Sequence, residues 1–158
     1  MDNDSNKIGI VGQGFVGNAI FQKFKEYFPI LTFDLKPQLS NSTFDSILEN
    51  CSIIFVCLPT PMNEDGSCNI TIVEDVLDTI NKKSKSIVVV KSTVLPGTTD
   101  EFNIKFKNID VVFNPEFLTE RNAVEDFNNQ KRIILGGPRP ATTELKQIYA
   151  KVFPNAYI

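Results

Sequence analysis

The stretch that most limits how this chain can fold is "KIGIVGQGFVGNAI", residues 7–20, which sets glycines at Gly12, Gly14 and Gly17. A G-x-G-x-x-G spacing carries meaning only when a strand leads into it and a helix leaves it. Both flanks are present. Ile8, Ile10 and Val11 form an apolar run of strand length, and Phe15, Ala19, Phe21 and Phe24 recur at helical intervals. Gly12 permits the tight turn out of the strand, Gly14 lets the backbone approach a pyrophosphate, and Gly17 lets the helix pack close to the sheet. The amides that open the helix then face the phosphates, and the helix dipole favours their charge.

A dinucleotide site of this kind also needs an acid at the end of the next strand, about 20 residues on, for a ribose hydroxyl. "ILTFD" supplies it at Asp34. A carboxylate there repels a 2′-phosphate, so the cofactor expected is NAD and not NADP. Lys36, two residues away, could partly neutralise such a phosphate or could simply be a solvated loop lysine.

The rest of the chain alternates strands and helices, so the fold class expected is α/β: a Rossmann-type doubly wound sheet, mainly parallel, with helices on both faces. "SIIFVCL", "SIVVVK" and "IDVVFN" are continuous apolar runs, as strands buried on both faces require. "KRIILGG" is read as a further strand, giving about six in the order 2-1-3-4-5-6. Helical patterns run over 43–50, "ITIVEDVLDTINKK", the segment after "STVLPG", and "PATTELKQIYAKVF". "PEFLTERNAVEDFNN" reads as a long loop holding at least one helical turn. Residues 7–158 make one nucleotide-binding domain, and the polar stretch 1–6 is expected to be disordered.

Composition excludes several classes. Net charge is −3, which offers no basic stripe for nucleic acid, and no apolar run approaches the roughly 20 residues that span a bilayer. The acidic N-terminus is neither a signal nor a transit peptide. Cys51, Cys57 and Cys68 are odd in number and lack the spacing of a metal site, which fits reduced thiols in a cytoplasmic protein. The chain has no histidine, so these residues hold no histidine acid–base for hydride transfer.

Ligands of open α/β sheets bind beyond the carboxyl ends of the strands. "LPTP", "KSTVLPGTT" and "NPEFLTE" stand at three successive ends of this kind. Singly each could be loop punctuation, since prolines end strands and Ser or Thr caps helices. Together, "VGQGFVG", "FVCLPTP", "KSTVLPGTT" and "NPEFLTERNAVEDFNNQKRIILGG" resemble the NAD-binding domain of the nucleotide-sugar 6-dehydrogenases, the UDP-glucose 6-dehydrogenase type. The resemblance runs from about Lys7 to Gly137. It implies oxidation of a sugar C6 alcohol to a carboxylate with two NAD and a cysteine-bound thioester.

Residue by residue, the resemblance implies that Gly12, Gln13, Gly14, Phe15, Val16 and Gly17 cradle the pyrophosphate. Asp34, with Lys36 beside it, holds the adenine-side ribose. Thr60, Pro61, Ser92, Thr93 and Glu120 line the dinucleotide. Thr93, Glu116 and Glu120 flank the reacting carbon and a water, and Glu116, Phe117, Leu118, Thr119 and Glu120 meet the sugar nucleotide. A carboxylate beside a hydroxyl can orient that water and accept its proton.

The chain departs from the family pattern in three ways. The segment between Asp34 and "SIIFVCL" is much shorter, so a helix and an edge strand are expected to be missing. The "ILTFD" strand then becomes a sheet edge, open to pairing with another chain and hence to a homodimer. Leu39 stands where the family has a basic residue. The family's central helix and C-terminal sugar-nucleotide domain, with the nucleophilic cysteine, have no counterpart in these residues. The substrate expected is UDP-glucose, with the chain inactive alone. The alternatives are a UDP-N-acetyl sugar or GDP-mannose as substrate, a stand-alone NAD-binding module, a subunit pairing with a separately encoded half, or a small dehydrogenase of another substrate.

Overall fold

A computed structural model describes residues 7–158, and the stretch 1–6 lies outside the described residues. Five strands form one sheet: β1 (Ile8–Val11), β2 (Ile30–Phe33), β3 (Ile53–Val56), β4 (Ile87–Val90) and β5 (Asp110–Phe113). Every pairing is parallel and the order is β2-β1-β3-β4-β5. Strand side chains alternate between faces, so one apolar run feeds two cores. Ile53 and Phe55 of β3 enter one core, Ile54 and Val56 the other.

Six helices cover the two faces: α1 (Phe15–Phe24), α2 (Phe44–Asn50), α3 (Thr71–Lys83), α4 (Thr98–Lys105), α5 (Ala123–Asn128) and α6 (Arg139–Val152). Helices α1, α5 and α6 bury their apolar stripes on the first face, and α2, α3 and α4 on the second. In α3 the stripe is Val73, Leu77 and Ile80; in α6 it is Leu145, Ile148, Tyr149 and Val152. Tyr149 meets Phe24 edge-on at 5.5 Å between ring centroids, a favoured aromatic arrangement that ties α6 to α1. Thr43 caps α2 by accepting the Ser46 amide at 3.2 Å.

The segment read as a sixth strand does not join the sheet as one. Gly136 makes a single antiparallel bridge to Phe113, and Arg132 makes a parallel bridge to Tyr157 near the C-terminus. A parallel sixth strand needs a crossover back to the starting edge of the sheet. The six-residue α5 rises only about 9 Å, and it packs on α1 instead of beside β5.

Strand β2 is the sheet edge, as the shortened segment after Asp34 requires. That edge is largely closed, however. The outward Thr32 N–H donates to Asn41 Oδ1 at 2.8 Å, and Asn41 Nδ2 donates to the Ile30 carbonyl at 3.1 Å. The Thr32 carbonyl accepts the amides of Asn41 and Ser42, and the Asp34 amide donates to Ser40 Oγ at 2.8 Å. An asparagine thus imitates the peptide group of a neighbouring strand. The Ile30 carbonyl, both backbone groups of Thr32 and the Asp34 amide are thus occupied, so the edge is largely closed where an open one for dimerisation was expected.

Candidate functional site

The three glycines have separable constraints. Gly12 adopts φ +93°, and a Cβ there would lie 2.3 Å from the Cys57 carbonyl oxygen. A Cβ on Gly17 would lie 1.9 Å from the Gly12 carbonyl oxygen, so Gly17 packs α1 against the turn itself. A Cβ on Gly14 would meet nothing within 4 Å. Helix α1 has Gly14 at its N-cap and no side chain capping it. Its first amides therefore have no side-chain acceptor, and they open onto the cleft that Gly14 leaves clear.

The Asp34 carboxylate stands beside this turn. Its Oδ2 accepts the Gln13 amide at 2.8 Å and its Oδ1 accepts the Lys36 amide at 2.8 Å. Burial pushes its pKa up, but the two amides and the Lys36 charge outweigh this and hold it below the usual carboxylate value. Each oxygen still has acceptor capacity for a ribose hydroxyl.

A cleft of about 690 Å³ runs along the carboxyl ends of the strands. It brings together Gly12, Gly14, Phe15, Val16, Asp34, Lys36, Thr60, Ser92, Thr93 and Glu116 from the sequence-based set. Two hydroxyls brace its rim: Ser92 Oγ accepts the Leu58 amide at 3.0 Å, and Thr60 Oγ1 donates to the Thr93 carbonyl at 2.6 Å. Glu116 is half-buried and accepts the Leu118 amide. Gln13 and Gly17 are buried within the turn, and Pro61 lies exposed beyond the rim.

The remaining members of the set lie elsewhere. Glu120 opens a 3-10 turn and borders a second groove of about 330 Å³ with Asn18 and Arg121; Phe15 borders both spaces. Thr119 donates its amide and hydroxyl to Asp126, at 2.8 and 2.6 Å. Leu118 packs on the first core, and Phe117 is 64% exposed with the Arg132 guanidinium 5.7 Å from its ring centre.

Two groups escaped the sequence reading. Phe33, Leu58, Ile72 and Val76 give the cleft an apolar lining, suited to a planar base. Lys91, which ends the apolar run of β4, is buried and also borders the cleft. A cation directly after four β-branched residues was the available signal. Neither buried cysteine suits nucleophilic chemistry. Burial pushes the Cys57 thiol up to about 12 and the Cys51 thiol, at the opposite end of β3, to about 11. Cys68 follows an exposed loop, its Sγ 3.7 Å from the Thr93 carbonyl.

The cleft fits NAD: an open phosphate cradle, an ionised ribose acceptor and an apolar base wall stand in line. Known proteins agree. The UDP-glucose/GDP-mannose dehydrogenase family, NAD binding domain, matches residues 30–153. A UDP-glucose 6-dehydrogenase of Rickettsia felis is 30% identical over 95% of this chain, which spans 35% of that protein. An uncharacterized protein of Methanocaldococcus jannaschii is 37% identical over 68% of this chain and 13% of its own length. A UDP-glucose dehydrogenase structure from Pyrobaculum islandicum superposes with a TM-score of 0.84 at 23% identity, covering 99% of this chain and 46% of that one. The chain thus spans about a third or less of these curated relatives.

Proposed function

The chain belongs to the UDP-glucose/GDP-mannose dehydrogenase family through its NAD-binding domain, and on that premise we propose that it is the cofactor-holding part of a UDP-glucose 6-dehydrogenase-like enzyme of the cytoplasm. The observation that carries this is the ionised Asp34 locked beside the glycine turn at the mouth of the cleft. The turn amides hold the pyrophosphate, Asp34 takes the adenine-side ribose, and the apolar wall takes the base. Bound NAD supplies a hydride acceptor. Thr93 and Glu116 stand on the nicotinamide side, where they orient the reacting carbon and a water of UDP-glucose. Glu120 meets the sugar nucleotide from the neighbouring groove.

Residues 1–158 by themselves do not turn over UDP-glucose. The second oxidation requires a covalent thiol intermediate, and burial holds the Cys51 and Cys57 thiols protonated, at about 11 and about 12, too high to form one. Calorimetric titration with NAD+ and NADP+ tests the cofactor assignment, with NAD+ expected to bind tighter. Asp34→Ala removes a charged acceptor worth about 1.5–3 kcal/mol, so NAD+ affinity falls roughly tenfold to a hundredfold. Tighter NADP+ binding by the unaltered protein overturns the role of Asp34. NADH absorbance in the presence of UDP-glucose tests inactivity. Turnover that survives Cys→Ser at all three positions but disappears in Glu120→Gln would show a self-sufficient dehydrogenase with Glu120 as base.

A further inference from the structure

A cation is buried at the floor of the cleft without the partners such burial ordinarily requires. Lys91 is 4% exposed, and among the described residues its one hydrogen bond runs from Nζ to Asn114 Oδ1 at 3.1 Å. That oxygen also accepts the Tyr149 hydroxyl, and Asn114 Nδ2 donates to the Ile134 carbonyl at 2.8 Å. Asn114 is therefore anchored from α6 and from the segment behind β5, and it pins Lys91 from the back. An ammonium has three donors, so two remain, on a side chain that borders the cleft. A buried charge held by one hydrogen bond is costly unless a further group compensates it.

The titratable groups around Lys91 are Cys57 at the end of β3, Glu116 after β5 and Tyr149 on α6. Burial raises the Cys57 thiol and the Tyr149 phenol, so both stay neutral, which leaves the Glu116 carboxylate as the facing anion. The strand order reverses between β1 and β3, and a dinucleotide crosses such a point with one half on either side. Asp34 occupies the adenosine side. The ends of β3 and β4, where Lys91 lies, fall to the nicotinamide. That ring is cationic when oxidised and neutral when reduced.

We propose that Lys91 is a positioning residue that sets the redox preference of the cleft, its ammonium opposing the oxidised ring and admitting the reduced one. The inference rests on the NAD-binding reading above. Burial holds the Lys91 pKa down at about 8, with the Glu116 carboxylate pulling it back up, so the ammonium is lost just above neutrality. Binding of NAD+ then expels a proton from Lys91 to solvent, and binding of NADH does not.

The test is titration of the full chain with NAD+ and with NADH at pH 6.5 and pH 9, by calorimetry in buffers of differing ionisation enthalpy. A unit charge within about 10 Å in a partly buried site changes affinity on the order of tenfold. The ratio of NADH to NAD+ affinity is expected to fall by that factor between the two pH values, with proton release accompanying NAD+ near pH 8. Lys91→Met flattens the ratio against pH and abolishes the release, whereas Lys91→Arg, permanently charged, keeps the preference for NADH at pH 9. A pH-independent ratio in the unaltered protein, or a pH dependence retained in Lys91→Met, overturns the role of Lys91 alone. Failure of both cofactors to bind the unaltered protein overturns the cofactor reading and this inference with it.

Discussion

Gly14→Ala and Gly17→Ala are the same chemical change three residues apart, and the structure assigns them opposite consequences. At Gly17 the new methyl would lie 1.9 Å from the Gly12 carbonyl oxygen, which is backbone and cannot rotate away. The first turn of α1 must move off the glycine turn by more than 1 Å to reach an ordinary contact of about 3.2–3.4 Å. Overpacking costs about 1–3 kcal/mol, and a clash this close with backbone falls in the upper part, about 2–3 kcal/mol, against about 1 kcal/mol regained because alanine favours a helix over glycine. The net loss of about 1–2 kcal/mol lowers Tm by roughly 2–8 °C in a chain of this size. NAD affinity falls as well, because the amides move with the helix. At Gly14 nothing lies within 4 Å, and φ is −67°, which alanine adopts freely. Its stability stays within about 1 kcal/mol of the unaltered protein, since only the N-cap preference for glycine over alanine is lost. The methyl now occupies the space the phosphates enter, so NAD binding is lost. Thermal melts and calorimetric titrations of the two variants separate these effects. A Gly17→Ala protein as stable as the unaltered one, or a Gly14→Ala protein that binds NAD with unchanged affinity, would refute the assignment.

Three further outcomes follow from other contacts. Tyr149→Phe removes the hydroxyl that Asn114 accepts, in a fully buried setting, and costs about 1–3 kcal/mol in urea unfolding at constant m. Lys91 is depressed to about 8 in the fold, so between pH 8 and its unfolded value of 10.5 the unfolded chain binds more protons and stability rises with pH. Cys51 and Cys57, raised to about 11 and 12, act in the opposite direction above pH 9, so the difference between the unaltered protein and Lys91→Met across this window is the quantity to measure. A difference that does not change with pH would place the Lys91 ammonium in solvent. Asn41→Ala strips two side-chain bonds from the β2 edge, lowering stability by about 1–2 kcal/mol and exposing a pairing edge, which sedimentation should reveal as self-association.

Local sequence determined the parts of this protein that depend on one element at a time. Continuous apolar runs such as "SIIFVCL" report burial on both faces without any knowledge of neighbours, and β3, β4 and β5 were legible that way, while β1 and β2 were marked by the glycine turn and the acid that follow them. Turn geometry is equally local: a positive φ at Gly12 and an acid at the end of the next strand can be placed by counting residues. Tertiary structure decided whatever depends on the path of the chain between elements. "KRIILGG" has the pattern of a strand, yet a short α5 leaves it on the wrong approach for parallel pairing. Asn41 closes the β2 edge only because the shortened loop returns along it, and no property of an asparagine in a polar loop announces that. Glu116 and Glu120 stand four residues apart in one motif, but the 3-10 turn between them and α5 directs Glu120 into a separate groove. Lys91 closes the apolar run "SIVVVK", and nothing in that run marks it as buried at a site. Its burial arises from Asn114 and Glu116, just after β5, and from Tyr149 on α6, and a one-dimensional pattern cannot encode a meeting of that kind.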